Sequence, residues 1–293
     1  MKKVILPAAG IALALTANVA LAADLPNRKS EPVYAPPAPS FSWTGFYGGV
    51  NIGYGFGNGD SETGSLVYPS PPAVAGYSAI WSAPTNLSGV LGGGQLGYNY
   101  QVNPWVVVGI ETDFHGADVN YQNLGAGPGT GAQPHTASIL SAKSVDWFGT
   151  VRGRLGFTPP SLPNLLVYGT AGLAYGQVAQ SVGILDPYPN QFYVGQISYS
   201  DVRTGWTAGA GLEFFPFATH PFFKDVSVKV EYLYTDLGSN NLFGTSALNI
   251  FAGAPTNVAF NFNHASETRF HTVRAGVNWH FDPFAVTPVV ARY

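Results

Sequence analysis

Ten charged residues recur at alternate positions along segments that otherwise read as apolar strands: Glu111, Asp113, Asp146, Arg152, Arg154, Arg203, Glu213, Lys229, Glu231 and Arg274. Five acids against five bases make a set that can neutralise itself. Carboxylates and guanidiniums taken out of water need partners to offset desolvation, so the expected chemistry is a satisfied internal ion-pair network. A constriction that selects ions favours an excess of one sign instead. Glu111 and Asp113 lie one hairpin from Arg152 and Arg154, and Glu231 is flanked by the strands that carry Glu213 and Arg274.

Catalytic and cofactor patterns are weaker. His264, Ser266 and Glu267 are the residue types of a hydrolase, but neighbours along one flexible segment do not fix a triad geometry, and no catalysis is expected. Residues 92–97 (GGGQLG) match GxGxxG in form, yet they sit inside a strand pattern with no helix after it. Glycines there let a narrow barrel curve and leave room for inward Arg and Tyr side chains, so no dinucleotide is expected. His115, His135, His264, His271 and His280 show no paired ligand spacing, His220 falls on a short turn, and Cys is absent, so no metal or other cofactor is expected.

The elements that must hold these charges are strands. Gly and Pro, 36 and 23 of 293 residues, recur too often for helices, while period-two alternation repeats along the chain. Eight strands are expected, at 43–57, 88–101, 105–117, 143–158, 165–180, 201–215, 226–238 and 267–281. Their connections alternate, long at 61–86, 118–142, 181–200 and 239–266, short at 102–104, 159–164 and 216–225. Four long loops alternating with three short turns imply an all-β, up-and-down antiparallel transmembrane barrel with long extracellular loops.

Only 10% of residues are charged and 14% are aromatic, so much of the surface need not face water. Each of the ten charges falls opposite the apolar face of its strand. Apolar outside and charged inside is the lipid-exposed polarity, because a charge facing hydrocarbon at mid-depth costs ~2–4 kcal/mol in a barrel. Outward aromatics gather at both strand ends: Tyr98, Tyr100, Phe157, Phe214, Trp279 and Phe281 beside the short turns, and Tyr54, Phe56, Trp147, Tyr175, Trp206, Tyr232 and Tyr234 beside the long loops. These are two interfacial girdles.

Residues 1–22 read as a secretory signal peptide, with Lys2 and Lys3 before an apolar run and a small-x-small site at Ala20-Leu21-Ala22. The competing membrane-anchor reading is interrupted by Pro7, Thr16 and Asn18. Cleavage leaves 11 basic and 16 acidic residues. Residues 23–42 are a Pro-rich periplasmic tether, 43–281 the barrel and 282–293 a tail. No basic run exceeds Lys2-Lys3, which excludes a nucleic-acid footprint.

The stretches WTGFYGGVNIGYG (43–55), VVGIETDF (107–114), DWFGTVRGRLGF (146–157), LVYGTAGLAYG (166–176), GWTAGAGLEF (205–214), KVEYLYTDLG (229–238) and HTVRAGVNWHF (271–281) together resemble the small outer-membrane immunogenic, porin-like barrels of alphaproteobacteria, related to the OmpA-type barrel. The resemblance touches every expected strand except the second. It implies an eight-stranded outer-membrane barrel with surface antigen loops, and haemin binding or porin activity in some members. The chain runs twelve residues past Phe281, so either Phe281 or Tyr293 could be the signal read by the barrel assembly machinery. Expected partners are outer-membrane lipid, lipopolysaccharide, that machinery and a surface ligand at the long loops. The reading that follows is a structural and surface-interaction barrel without catalysis, with a small porin-like channel or haemin-binding transport protein as the alternative.

Overall fold

The computed structural model describes residues 41–57, 59–67, 78–130, 136–188, 191–218, 220, 222–244, 247–251, 254–258 and 261–281. The expected signal peptide, the tether up to residue 40 and the tail lie outside the described residues. The strands are β1 (Gly45–Gly57), β2 (Ser61–Val67), β3 (Ser78–Pro84), β4 (Ser88–Asn103), β5 (Val106–Thr130), β6 (Thr136–Phe157), β7 (Leu165–Tyr188), β8 (Gln191–Phe214), β9 (Val226–Gly244), β10 (Ala247–Phe251), β11 (Ala254–Val258) and β12 (Asn261–Phe281).

Eight of them close a ring of antiparallel pairs in the order β1, β4, β5, β6, β7, β8, β9, β12 and back to β1. Closure pairs the backbone polar groups where lipid offers them no partner. Period-two alternation decides the faces: in β1, Tyr47 and Asn51 are buried inside while Val50 and Ile52 are 68% and 69% exposed outside. Such exposure of apolar side chains around a whole wall is tolerable only against hydrocarbon. Gly97 serves the packing locally, since a Cβ there would lie 2.3 Å from the Tyr47 hydroxyl.

The strands run further on the loop side than expected. Residues 118–130 and 136–142 belong to β5 and β6, and residues 181–188 and 191–200 to β7 and β8, so two of the expected long loops are largely ladder. Segment 61–86 contains the hairpin β2/β3, whose strands pair with β12 and β5 and carry the wall of β1 and β4 outward. Segment 239–266 holds the end of β9, the hairpin β10/β11 and the start of β12. In these stretches the inward face mixes Leu66, Ile139 and Val182 with Glu62, Ser141 and Gln180, while outward positions such as Asn120, Gln122, Ser198 and Ser200 are polar, so the apolar-out, charged-in polarity of the membrane strands is lost there.

Among the described residues the wall opens between β8 and β9, and β5 likewise lacks a partner on its β3 side over residues 121–128. The pairing of β8 with β9 stops at Trp206 opposite Asp236, and β8 is paired again on that side only where Val194 meets Leu248 of β10. Both ends keep one register. Gly238 bends β9 here, with φ +82 and its N–H donated to Asp236 Oδ1 at 2.8 Å, and β9 continues along β12 instead.

Candidate functional site

Inside the membrane zone, four acids and four bases meet. Arg152 lies across the ladder from Glu111, and its Nη2 donates to Glu111 Oε1 at 2.5 Å and Asp113 Oδ2 at 2.7 Å, while Nη1 reaches Glu231 Oε1 at 3.0 Å. Arg274 Nη2 donates to Asp113 Oδ2 at 2.8 Å and its Nε to Glu231 Oε2 at 2.6 Å. Lys229 Nζ straddles both oxygens of Glu111 at 2.9 Å. Arg154 Nη2 holds Glu213 Oε2 at 2.7 Å, its guanidinium stacked 3.9 Å from the Tyr168 ring centroid. Glu213 Oε1 also accepts from Ser227 Oγ at 2.6 Å and Asn278 Nδ2 at 2.8 Å. Every one of these eight side chains is buried.

Two of the ten charges expected in this set stand elsewhere. Asp146 is exposed, because a bulge between Val145 and Trp147 shifts the alternation of β6 and sends Val145 inward in its place. Arg203 keeps its side of β8 but sits beyond the outer girdle, where Nη2 donates to the Ser239 carbonyl at 2.5 Å. Losing one acid and one base leaves the set balanced at four and four.

Polar neighbours complete it. Tyr47 OH donates to Glu111 Oε2 at 2.7 Å, Tyr168 OH to Glu231 Oε1 at 3.0 Å, and Thr150 Oγ1 to Asp113 Oδ1 at 2.8 Å. His115 Nε2 is 3.0 Å from Arg274 Nη1 and 2.8 Å from Asn51 Oδ1. These partners carry no distinctive spacing; the signal that could have found them is that each faces inward beside a charge.

Apolar layers close the lumen on both sides of the network. Toward the short turns, Trp43 packs with Val107, Leu166, Tyr168 and Phe215, its indole N–H donated to the Pro163 carbonyl at 2.9 Å across the barrel mouth. Toward the other end, Phe148 stacks on His115 with centroids 4.9 Å apart and meets Phe270 edge-on, within a layer that includes Leu91, Val119, Val145 and Leu237. A sealed, girdled barrel with apolar outside and paired charges inside is the architecture of an outer-membrane protein, and the sequence profile described as "Outer membrane protein beta-barrel domain" matches residues 9–281. The chain belongs to the outer membrane protein beta-barrel domain family.

Members named as immunogenic proteins resemble it along most of their length. The 31 kDa outer-membrane immunogenic protein of Brucella melitensis is 38% identical over 96% of this chain and 100% of its own. The 25 kDa outer-membrane immunogenic protein of Brucella abortus is 29% identical over 78% of this chain and 84% of its own. Among solved structures, the outer membrane protease OmpT of Escherichia coli is 9% identical over 82% of this chain and 98% of that chain, with a TM-score of 0.39. Ail, the attachment invasion locus protein of Yersinia pestis, is 14% identical over 80% and 99%, with a TM-score of 0.32. The ring of eight paired strands and the family match make the chain an eight-stranded barrel of the outer membrane.

This family member carries a second polar layer outside the membrane zone. Glu62 Oε2 accepts from Tyr121 OH and lies 3.3 Å from His264 Nε2; Gln180 Nε2 reaches His264 Nε2 at 2.7 Å. Lys143 Nζ donates to Ser266 Oγ and, at 2.9 Å, to the Glu267 carbonyl. Burial pulls the Lys143 ammonium down to about 8. Burial pushes the Glu62 carboxyl upward, but hydrogen bonds from His264, Tyr121 and Ser141 outweigh it and hold the group below the usual range. Lys143 and Ser266 are the residue types of a Ser-Lys dyad, yet at 2% and 3% exposure neither offers a carbonyl an approach, so the contact is structural. Sequence reasoning placed Glu62 and His264 in loops and missed this layer, which the outward extension of the wall creates. A further apolar layer of Leu66, Trp81, Ile139 and Val182 lies beyond it.

Proposed function

We propose that this outer-membrane protein is a closed structural barrel whose outward extension serves surface contact, without catalysis. The carrying observation is the occluded lumen: Glu111, Arg152, Lys229 and Arg274 are at most 1% exposed, under aromatic layers on either side. An eight-stranded barrel has room for side chains but little more. The self-neutral set favours this reading over a selective constriction.

Surface contact draws on the extension. A groove of about 700 Å³ above the outer girdle is lined by Asn120, Gln122, Ser144, Ser181, Ser198 and Ser200 among others, side chains suited to a hydroxylated ligand such as the saccharide of lipopolysaccharide. The Brucella relatives are named immunogenic, which agrees with a surface-displayed role. Partners in this reading are outer-membrane lipid, lipopolysaccharide and the barrel assembly machinery.

Planar-bilayer recording of the purified mature protein tests it. No steady current is expected; a stable, ion-selective conductance would return the porin-like reading.

A further inference from the structure

The end of the barrel with the short connections, the periplasmic end in outer-membrane barrels, exposes more apolar surface than its girdle accounts for. The connection between β8 and β9 is the richest. Phe217 is 53% exposed, Phe222 85% and Phe223 51%. These rings do not hang from loose chain. His220 N–H donates to the Phe217 carbonyl at 2.8 Å, Lys224 N–H to the His220 carbonyl at 3.0 Å, Val226 N–H to the Phe223 carbonyl at 3.1 Å, and His280 N–H straps the Asp225 carbonyl at 2.8 Å. The rings also contact one another, Phe217 on Phe223 at 6.0 Å and His220 on Phe223 at 5.2 Å between centroids. Phe215 and Ala218 pin the inner side of the turn onto Trp43 and its layer, so the exposed rings face away from the lumen.

The other two short connections repeat the feature. Val102 and Trp105 flank the one between β4 and β5, both 54% exposed, and Leu162 lies in the one between β6 and β7, 49% exposed. The three follow closely on the outward girdle residues Tyr100, Phe157 and Phe214. A soluble protein partner docks on one sector of a rim, whereas a bilayer meets every sector at one depth. Rigid aromatic rings are also the side chains that favour the headgroup layer, and Lys224 at the foot of the turn suits its phosphates.

We infer that these connections form a second interfacial tier that lies in the phospholipid headgroup layer of the inner leaflet, with the Phe217–Phe223 turn as its principal anchor. The barrel is then held in depth from below its girdle as well as at it.

The chain has no Cys, which makes single-cysteine labelling direct. Phe222→Cys, Phe217→Cys and Leu162→Cys, each spin-labelled in the full mature barrel, are placed in nanodiscs of phosphatidylethanolamine and phosphatidylglycerol. Power saturation should show the ratio of oxygen to water-soluble nickel-chelate collisions raised above its bulk-water value at all three sites. A ratio no higher than in bulk water would overturn the inference. As a second arm, the triple variant Phe217→Ser, Phe222→Ser, Phe223→Ser should unfold at the parent's temperature in detergent micelles and at a lower one in bilayers. An equal change in both media, or none in bilayers, would assign the rings a role other than membrane anchorage.

Discussion

Arg203 and Ser239 occupy register positions that would face each other if the β8/β9 ladder ran on, yet they are joined by the arginine side chain on the serine carbonyl rather than by backbone pairing. The guanidinium bridges a gap in the wall just beyond the girdle. That gap follows from the bend at Gly238, and Arg203, beyond the girdle, stands beside it rather than among the central charges.

Double-cysteine variants test the gap. Thr207→Cys with Thr235→Cys, opposed in the ladder with hydroxyls 3.1 Å apart, should crosslink readily under mild oxidation. Asp201→Cys with Asn241→Cys, opposed only in the extrapolated register, should remain reduced. Equal crosslinking of both pairs would mean that the wall is continuous there.

Arg152→Ala should be severe and Arg203→Ala mild. Removing Arg152 takes one partner from each of Glu111, Asp113 and Glu231 and leaves four buried acids against three bases, and breaking a buried ion pair typically costs ~3–5 kcal/mol. A part-exposed side-chain bond such as that of Arg203 contributes only about 0.5–1.5 kcal/mol. Heat-modifiable gel mobility should therefore be lost at a clearly lower temperature in the first variant only. Similar transitions for both would indicate a hydrated lumen.

Asp146→Ala should leave folding almost untouched, because the bulge exposes the carboxylate. Surface changes of this kind stay within about 0.5 kcal/mol. A loss comparable to that of Arg152→Ala would return Asp146 to the buried set.

Lys143 gives stability a pH dependence of known sign. Its folded-state value of about 8 lies below the ordinary 10.5, so between those values the unfolded chain holds a proton that the folded one has released. Stability then rises with pH across that interval, by at most about 3 kcal/mol from this group. Lys143→Met, measured by thermal unfolding from pH 7.5 to 10.5, should flatten the rise. An unchanged slope would place its source at another group.

The parity of β1, the lipid-facing aromatics and the eight inward charges were legible because each follows from a local rule: residues two apart share a face, and a charge on the lipid face is costly. Those rules require no knowledge of which strand pairs with which. The bulge that exposes Asp146, the depth that keeps Arg203 beyond the girdle, and the outward ladders that bury Glu62, Lys143 and His264 were not legible. A bulge adds one residue without changing composition, and ladders that mix Ile139 and Val182 with Ser141 and Gln180 on one face do not show the apolar-out, charged-in polarity of the membrane strands. The chain by itself determined that a barrel forms and which face meets lipid, whereas the tertiary structure decided who pairs with whom inside it, because partners such as Lys229 and Glu111 lie 118 residues apart and meet only when the ring closes.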